Sequence, residues 1–199
     1  MIRKLIQWCV LLLLFGCNEQ SLTSVEYAKW VKDKANGLHQ VKEVGNYHFD
    51  IQYKPIDFVI VNERKGDVSD KEGFKKRKKE LDELQYFDVK ISLKEGGDFL
   101  KEDIENKEEF YRKQYYFSFD FQKDLKVQQG DSIYDCVLFH FERDYDLSGA
   151  RTFVLGFKRD KSKEVKDKIL ILDTNYLGAG IIRTKIKEED INRIPGLKI

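Results

Sequence analysis

Residues 87–93 read Phe87-Asp88-Val89-Lys90-Ile91-Ser92-Leu93. Apolar and polar side chains alternate with a period of two, the pattern of a strand with one face on a core and the other toward water. Downstream, Ile133–Arg143, Thr152–Lys158, Lys168–Asp173 and Ile181–Lys187 carry further strand patterns. The charged stretch Arg159 to Asp167 and the turn-like stretch Tyr176 to Gly180 separate the last three. Successive strands of this kind predict an antiparallel C-terminal meander. Phe117 to Phe121 also alternates and is expected as a strand.

Upstream the signals are mixed. Thr23-Ser24-Val25-Glu26 is a capping box, and Tyr27, Trp30, Val31 and Ala35 follow at helical spacing until Asn36-Gly37. Leu38–Val44 and Tyr47–Tyr53 flank Gly45-Asn46, a two-residue hairpin turn. The run Ile56–Val61 after Pro55 fits either a buried strand or a short helix, because periodicity does not separate the two. Ser69-Asp70-Lys71-Glu72 reads as a second capping box, opening a charged helix to about Gln85. Asn106–Tyr115 and Glu188–Ile194 favour helix. Strands grouped late with helices mostly earlier predict an α+β fold: a mainly antiparallel β-sheet with a C-terminal meander and peripheral helices. A β-sandwich with added helices is the alternative.

The composition supports a packed domain. The 199 residues are 41% hydrophobic and 13% aromatic despite 36% charge, with only 2 Pro and 13 Gly. Lys and Arg total 36 against 35 Asp and Glu. A balance this even gives no support for a nucleic-acid partner, which would call for a basic excess.

The N-terminus carries a targeting signal. Arg3 and Lys4 precede the mainly apolar Leu5 to Phe15. At about 1.5 Å per residue that stretch falls well short of a roughly 30 Å bilayer core, and it has the length of a signal-peptide core. Leu14-Phe15-Gly16-Cys17 comes next and resembles the lipobox of bacterial lipoprotein precursors. Leu14 and Gly16 match that pattern, whereas Phe15 is bulkier than the residue usual at its position. The resemblance implies cleavage between Gly16 and Cys17 and a diacylglyceryl thioether on Cys17. It divides the chain into a signal peptide (1–16), a lipidated tether (17–23) and one globular domain (24–199). Two or three acyl chains suffice for stable attachment to a membrane. Asn18, where Asp would direct retention at the inner membrane in some Gram-negative bacteria, suggests the outer membrane. Of the 3 cysteines, Cys9 leaves with the leader and Cys17 carries lipid, so Cys136 stands alone and no internal disulfide forms.

Candidate chemistry is sparse. Asp144, Asp146 and Ser148 with Gly149 imitate the first half of an EF-hand calcium loop, but Leu155 stands where the bidentate Glu belongs. A polar hairpin loop uses the same residue types. Cys136 and His140 would share a strand face, yet four residues at about 3.3 Å each hold them roughly 13 Å apart, too far for a nucleophile–base pair. His39, His48 and His140 have no metal-ligand spacing. Gly178-Ala179-Gly180 is a turn rather than a phosphate cradle. Lys75-Lys76-Arg77-Lys78-Lys79, offset by Glu80, Asp82 and Glu83, reads as a solvated helix with charge pairing.

The aromatic run Phe110, Tyr111, Tyr115, Tyr116, Phe117, Phe119 and Phe121 is dense enough to supply core and also to leave a patch for a protein or glycan. No catalytic residue and no cofactor is assigned. The expectation is a membrane-anchored envelope lipoprotein, held by its N-terminal lipid and acting as a non-enzymatic interaction or structural module with an envelope protein partner. A lipid-anchored hydrolase or ligand-binding protein and a toxin-immunity lipoprotein are the alternatives.

Overall fold

A computed structural model describes residues 21–142, 149–163 and 166–199 of the chain. A short parallel pair, β1 (Ser21–Leu22) with β10 (Gly196–Leu197), ties the two ends of the described chain together. The remaining strands are β2 (His39–Val44), β3 (Tyr47–Lys54), β4 (Leu84–Leu93), β5 (Leu125–Gln129), β6 (Ser132–Glu142), β7 (Arg151–Lys158), β8 (Lys168–Asp173) and β9 (Ile181–Ile186). They form one antiparallel sheet in the order β2-β3-β4-β7-β6-β5-β8-β9. The fold is therefore α+β, built on a single large sheet rather than on the two stacked sheets of a sandwich.

The period-two pattern of residues 87–93 places Phe87, Val89 and Ile91 on the core face, all fully buried. Cross-strand register continues that face through Ile51 opposite Val89 and Leu155 opposite Phe87. The β6–β7 and β8–β9 hairpins stand where the sequence predicts them. Between them lies β5, whose two inward apolar residues, Leu125 and Val127, are too few to stand out after the aromatic run. As a result β8 pairs with β5 rather than with β7.

The helices are α1 (Ser24–Lys32), α2 (Ile56–Glu63), α3 (Lys71–Leu81), α4 (Lys107–Tyr115) and α5 (Glu188–Asn192). The first capping box forms in full: Thr23 takes the Glu26 N–H, and the Glu26 carboxylate takes the Thr23 N–H at 3.0 Å. The ambiguous run after Pro55 is helical. Phe58, Ile60 and Val61 are all buried because α2 lies among α1, α3 and the sheet, which is why its pattern shows no single apolar face. The second cap is Asp70 rather than Ser69: its side chain accepts from the Gly73 N–H at 2.9 Å, while Ser69 donates its N–H to Asp67. The helix it opens stops at Leu81 instead of Gln85, because Leu84 and Gln85 pair with Lys158 and Phe157 and begin β4.

Phe117 to Phe121 corrects the sequence reading. No strand forms there. Helix α4, capped by Asn106, continues into a π-turn over Tyr116–Asp120 and a 3₁₀ turn over Phe121–Asp124. The Phe121 N–H reaches back five residues to the Tyr116 carbonyl. Alternation and helical spacing coincide in this stretch: Phe117 and Phe121 are four apart and fully buried, whereas Phe119 is 60% exposed.

The sheet has two distinct ends. One carries the β2–β3 turn, where Gly45 adopts a positive φ, together with the β8–β9 connection and α4. The other carries α1, α2, the start of β4 after α3, and α5 leading to β10. The ring of Phe153 on β7 joins the sheet to the segment after α4, lying 5.2 Å from Phe121 and 6.0 Å from Phe117, centroid to centroid. Phe153→Ala should cost about 3–5 kcal/mol. Urea unfolding read by circular dichroism checks this; a midpoint within error of wild type would show that the ring cluster does not hold the two layers together.

Candidate functional site

Helix α4 and the turn after it present a row of rings to solvent. Tyr111 and Tyr115 are one helical turn apart and 63% and 59% exposed; Phe119 continues the row, 5.1 Å from Tyr115 between centroids. Beside them Tyr116 stacks flat on Tyr176, with centroids 4.1 Å apart and an interplanar angle of 9°. Tyr176 comes from the 3₁₀ turn Asn175–Leu177 in the β8–β9 connection. Together with Lys107, Glu108, Arg112 and Asp120, these tyrosines line an open groove of about 710 Å³.

A second hollow of about 560 Å³ adjoins the first across Arg112 and Tyr176 and is lined by Tyr47, Glu102, Asp103, Glu109 and Lys113. Lys113 is almost wholly buried and donates from Nζ to the Glu102 carbonyl at 2.8 Å. Burial pulls its pKa down, against the opposing charges of Asp103, Glu102 and Asp98. Asp98 in turn pairs with Arg151 at 2.5 Å, and Asn46 donates to Glu102 at 2.8 Å. The loop beneath α4 is thus fixed to β7 and to the β2–β3 turn, so the ring row has a rigid mount. The Tyr116 hydroxyl donates to Asp124 at 2.5 Å. Burial, followed by that bond, raises its pKa and keeps it a neutral donor.

The groove offers π-faces, phenolic hydroxyls and two charges of each sign, a chemistry suited to holding a ligand with little net charge. Compared with protein-family models, curated proteins and solved structures, the chain matches none.

The sequence candidates fare differently. Gly16 and Cys17 of the lipobox and the calcium candidates Asp144, Asp146 and Ser148 lie outside the described residues. Among the described residues no group of three or more His, Cys, Asp or Glu side chains is arranged to hold a metal. The histidines stay apart: His39 bonds Asp50 at 2.5 Å and the Lys32 carbonyl at 3.0 Å, while His48 faces Glu43 at 3.5 Å. In the basic run, Arg77 makes two 2.8 Å bonds to Glu63 and a third to Glu80, Lys75 pairs with Glu72, and Lys78 pairs with Asp57. Gly178 and Gly180, both at positive φ, shape the β8–β9 turn.

Cys136 and His140 do not share a face, contrary to the expectation for a regular strand. A bulge between Cys136 and Leu138 makes them pair with the neighbouring residues Phe157 and Gly156, so the pleat inverts. Cys136 turns to the core beside Phe157, whereas His140, opposite Val154, takes the outer face. Tyr176 and Lys113 are the contributors that sequence reasoning missed. Tyr176 has no local signal, since only the pairing of β8 and β9 brings its loop to α4; Lys113 sits on a helix of charged residues that gives no sign which lysine is inside.

Burial pushes the Cys136 thiol up to about 11, against two backbone hydrogen bonds that lower it. The thiolate is therefore scarce until strongly alkaline pH. At pH 8 alkylation of Cys136 by iodoacetamide should be slower than that of a free cysteine by on the order of a hundredfold, and rise to the ordinary rate in urea. Mass spectrometry of the Cys136 peptide measures it; fast labelling of the folded protein would show an open, activated thiol.

Proposed function

We propose that this chain is a lipid-anchored protein of the bacterial envelope that serves as a binding module, engaging a protein partner through the aromatic groove of α4. The observation that carries the reading is the exposed row Tyr111, Tyr115 and Phe119 beside the stacked Tyr116–Tyr176 pair. Large rings left in water are costly unless they serve contact, and tyrosines give broad contact area for little side-chain entropy. Their mount supports the same reading: Lys113, Asp98 and Arg151 fix the segment, so a partner meets a preformed surface. The anchor rests on the leader and on Leu14-Phe15-Gly16-Cys17.

Two experiments test the two halves. Cys17→Ala should abolish incorporation of a fatty-acid probe and leave unprocessed precursor, because the thiol is the acyl acceptor; equal label in the variant would sink the anchor. For the groove, cross-linked pull-down from intact cells should recover a stoichiometric partner with wild type and lose it with Tyr111→Ala/Tyr115→Ala. Rings at the centre of an interface are each worth about 2 kcal/mol or more, so affinity measured with that partner should fall on the order of a thousandfold for the pair. Undiminished recovery by a folded double variant would move the contact surface elsewhere.

A further inference from the structure

We propose that the face formed by α1 and the C-terminal end of α2 seats on anionic lipid headgroups, so that the aromatic groove is held away from the bilayer. The proposal rests on the anchoring reading above, which fixes where the domain begins, and adds which surface meets the membrane. Between Cys17 and Ser21, where β1 begins, the chain can reach at most about 14 Å even when fully extended. Whatever lies beside β1 is therefore held close to a lipid attached at Cys17.

Beside β1 lies a hollow between α1 and α2, lined mainly by apolar surface and edged by Lys29, Lys32 and Lys65. These three lysines are exposed, and no ion pair engages any of them among the described residues. Among the described residues Asp33 is the one carboxylate lining the hollow, and its side chain accepts from the Ala35 N–H. Val25, 76% exposed, projects from the same side of α1. Tyr27 and Trp30, the more obvious membrane-seeking residues of this helix, are instead committed to the core. Cations edging an apolar hollow, with the exposed Val25 beside them, match a surface of lipid phosphates over acyl chains.

The sheet sets the distance between this face and the groove. Strand β3 runs from Tyr47, which lines the hollow next to the groove, to Lys54, which leads into α2. Seven steps of about 3.3 Å each from Tyr47 to Lys54 place the groove end some 23 Å from the α1–α2 end.

The test uses the full-length lipidated protein reconstituted into vesicles of phosphatidylcholine with or without phosphatidylglycerol. An environment-sensitive dye is attached at Val25→Cys or, separately, at Tyr115→Cys. With phosphatidylglycerol present, the Val25 dye should be quenched by a headgroup quencher and shift to the blue, while the Tyr115 dye stays in water; high salt should reduce the effect. Equal quenching at the two positions, or at neither, overturns the proposal.

Lys29→Glu/Lys32→Glu/Lys65→Glu should lose the contact while staying anchored and folded by circular dichroism. Each lysine near an anionic surface is worth about a fivefold gain in partition, so three give on the order of a hundredfold. The state of Cys17 is read separately by the acyl mass. If that mass is absent, the anchoring reading fails, and co-sedimentation of the same protein decides the face. Selectivity for anionic vesicles that the triple variant loses supports it, and equal binding to neutral vesicles ends it.

Discussion

The packing of Phe153 against Phe117 and Phe121 is the contact on which the architecture turns. The sheet and the segment after α4 are far apart in sequence, and these rings are where the two are clamped. Phe117 meets Phe99 at 5.0 Å and Phe121 at 5.1 Å, mostly edge to face, while Phe141 and Phe139 flank Phe153 from β6. Edge-to-face pairs gain from ring quadrupoles as well as from burial, and each pair adds about 0.5–1.5 kcal/mol beyond the area removed from water. With no internal disulfide expected, the domain rests on clusters such as this one rather than on a covalent link.

The same clamp produces the groove. A π-turn has one more residue between hydrogen-bonded groups than an α-turn, and across it Phe117 and Phe121 both point inward while Phe119 points out. Stability and presentation are thus coupled: the rings that anchor the segment determine which rings it exposes. Tyr116 stands between the two roles, half-buried against Phe117 and Phe121 and stacked on Tyr176 at the surface.

How far the sequence could be read depends on how local each signal is. Strand β4, the β2–β3 hairpin and the cap at Thr23 were legible because period-two alternation, a Gly-Asn turn and a capping box are written within a few residues. Ile56–Val61 hid its helix because helices and sheet surround it and leave no polar face to mark a period. Phe117–Phe121 misled because five residues satisfy both periods at once, and rings from distant segments, Phe153 and Phe99 among them, select the helical one. The bulge after Cys136 was equally silent: one inserted residue reverses the pleat, and nothing in Ile133–Arg143 announces it. Of the groove, the α4 rings were visible as a cluster, but their division into inside and outside depends on contacts across the fold. Tyr176 depends wholly on β8 pairing with β9 and β5.

A sheet that spans the domain also makes its two ends mechanically one. Strands β3 and β4 run the full distance between the α1–α2 end and the α4 end, and their core faces are buried except at Tyr53, which is half-buried. A tilt imposed at one end is therefore carried to the other without a hinge, because close-packed side chains leave little freedom to absorb it. Were the domain anchored as proposed, the direction of the groove would follow how α1 and α2 rest on the membrane. The charges divide in the same sense: Lys29, Lys32 and Lys65 against Asp33 line the α1–α2 hollow, while two basic residues, Lys107 and Arg112, and two acidic ones, Glu108 and Asp120, line the groove, Asp120 being paired with Lys123. An excess of one sign suits a surface that is uniformly of the other sign, and a balanced rim suits a partner selected by shape. The two ends are thus chemically unlike in the way that anchoring at one and recognition at the other would require.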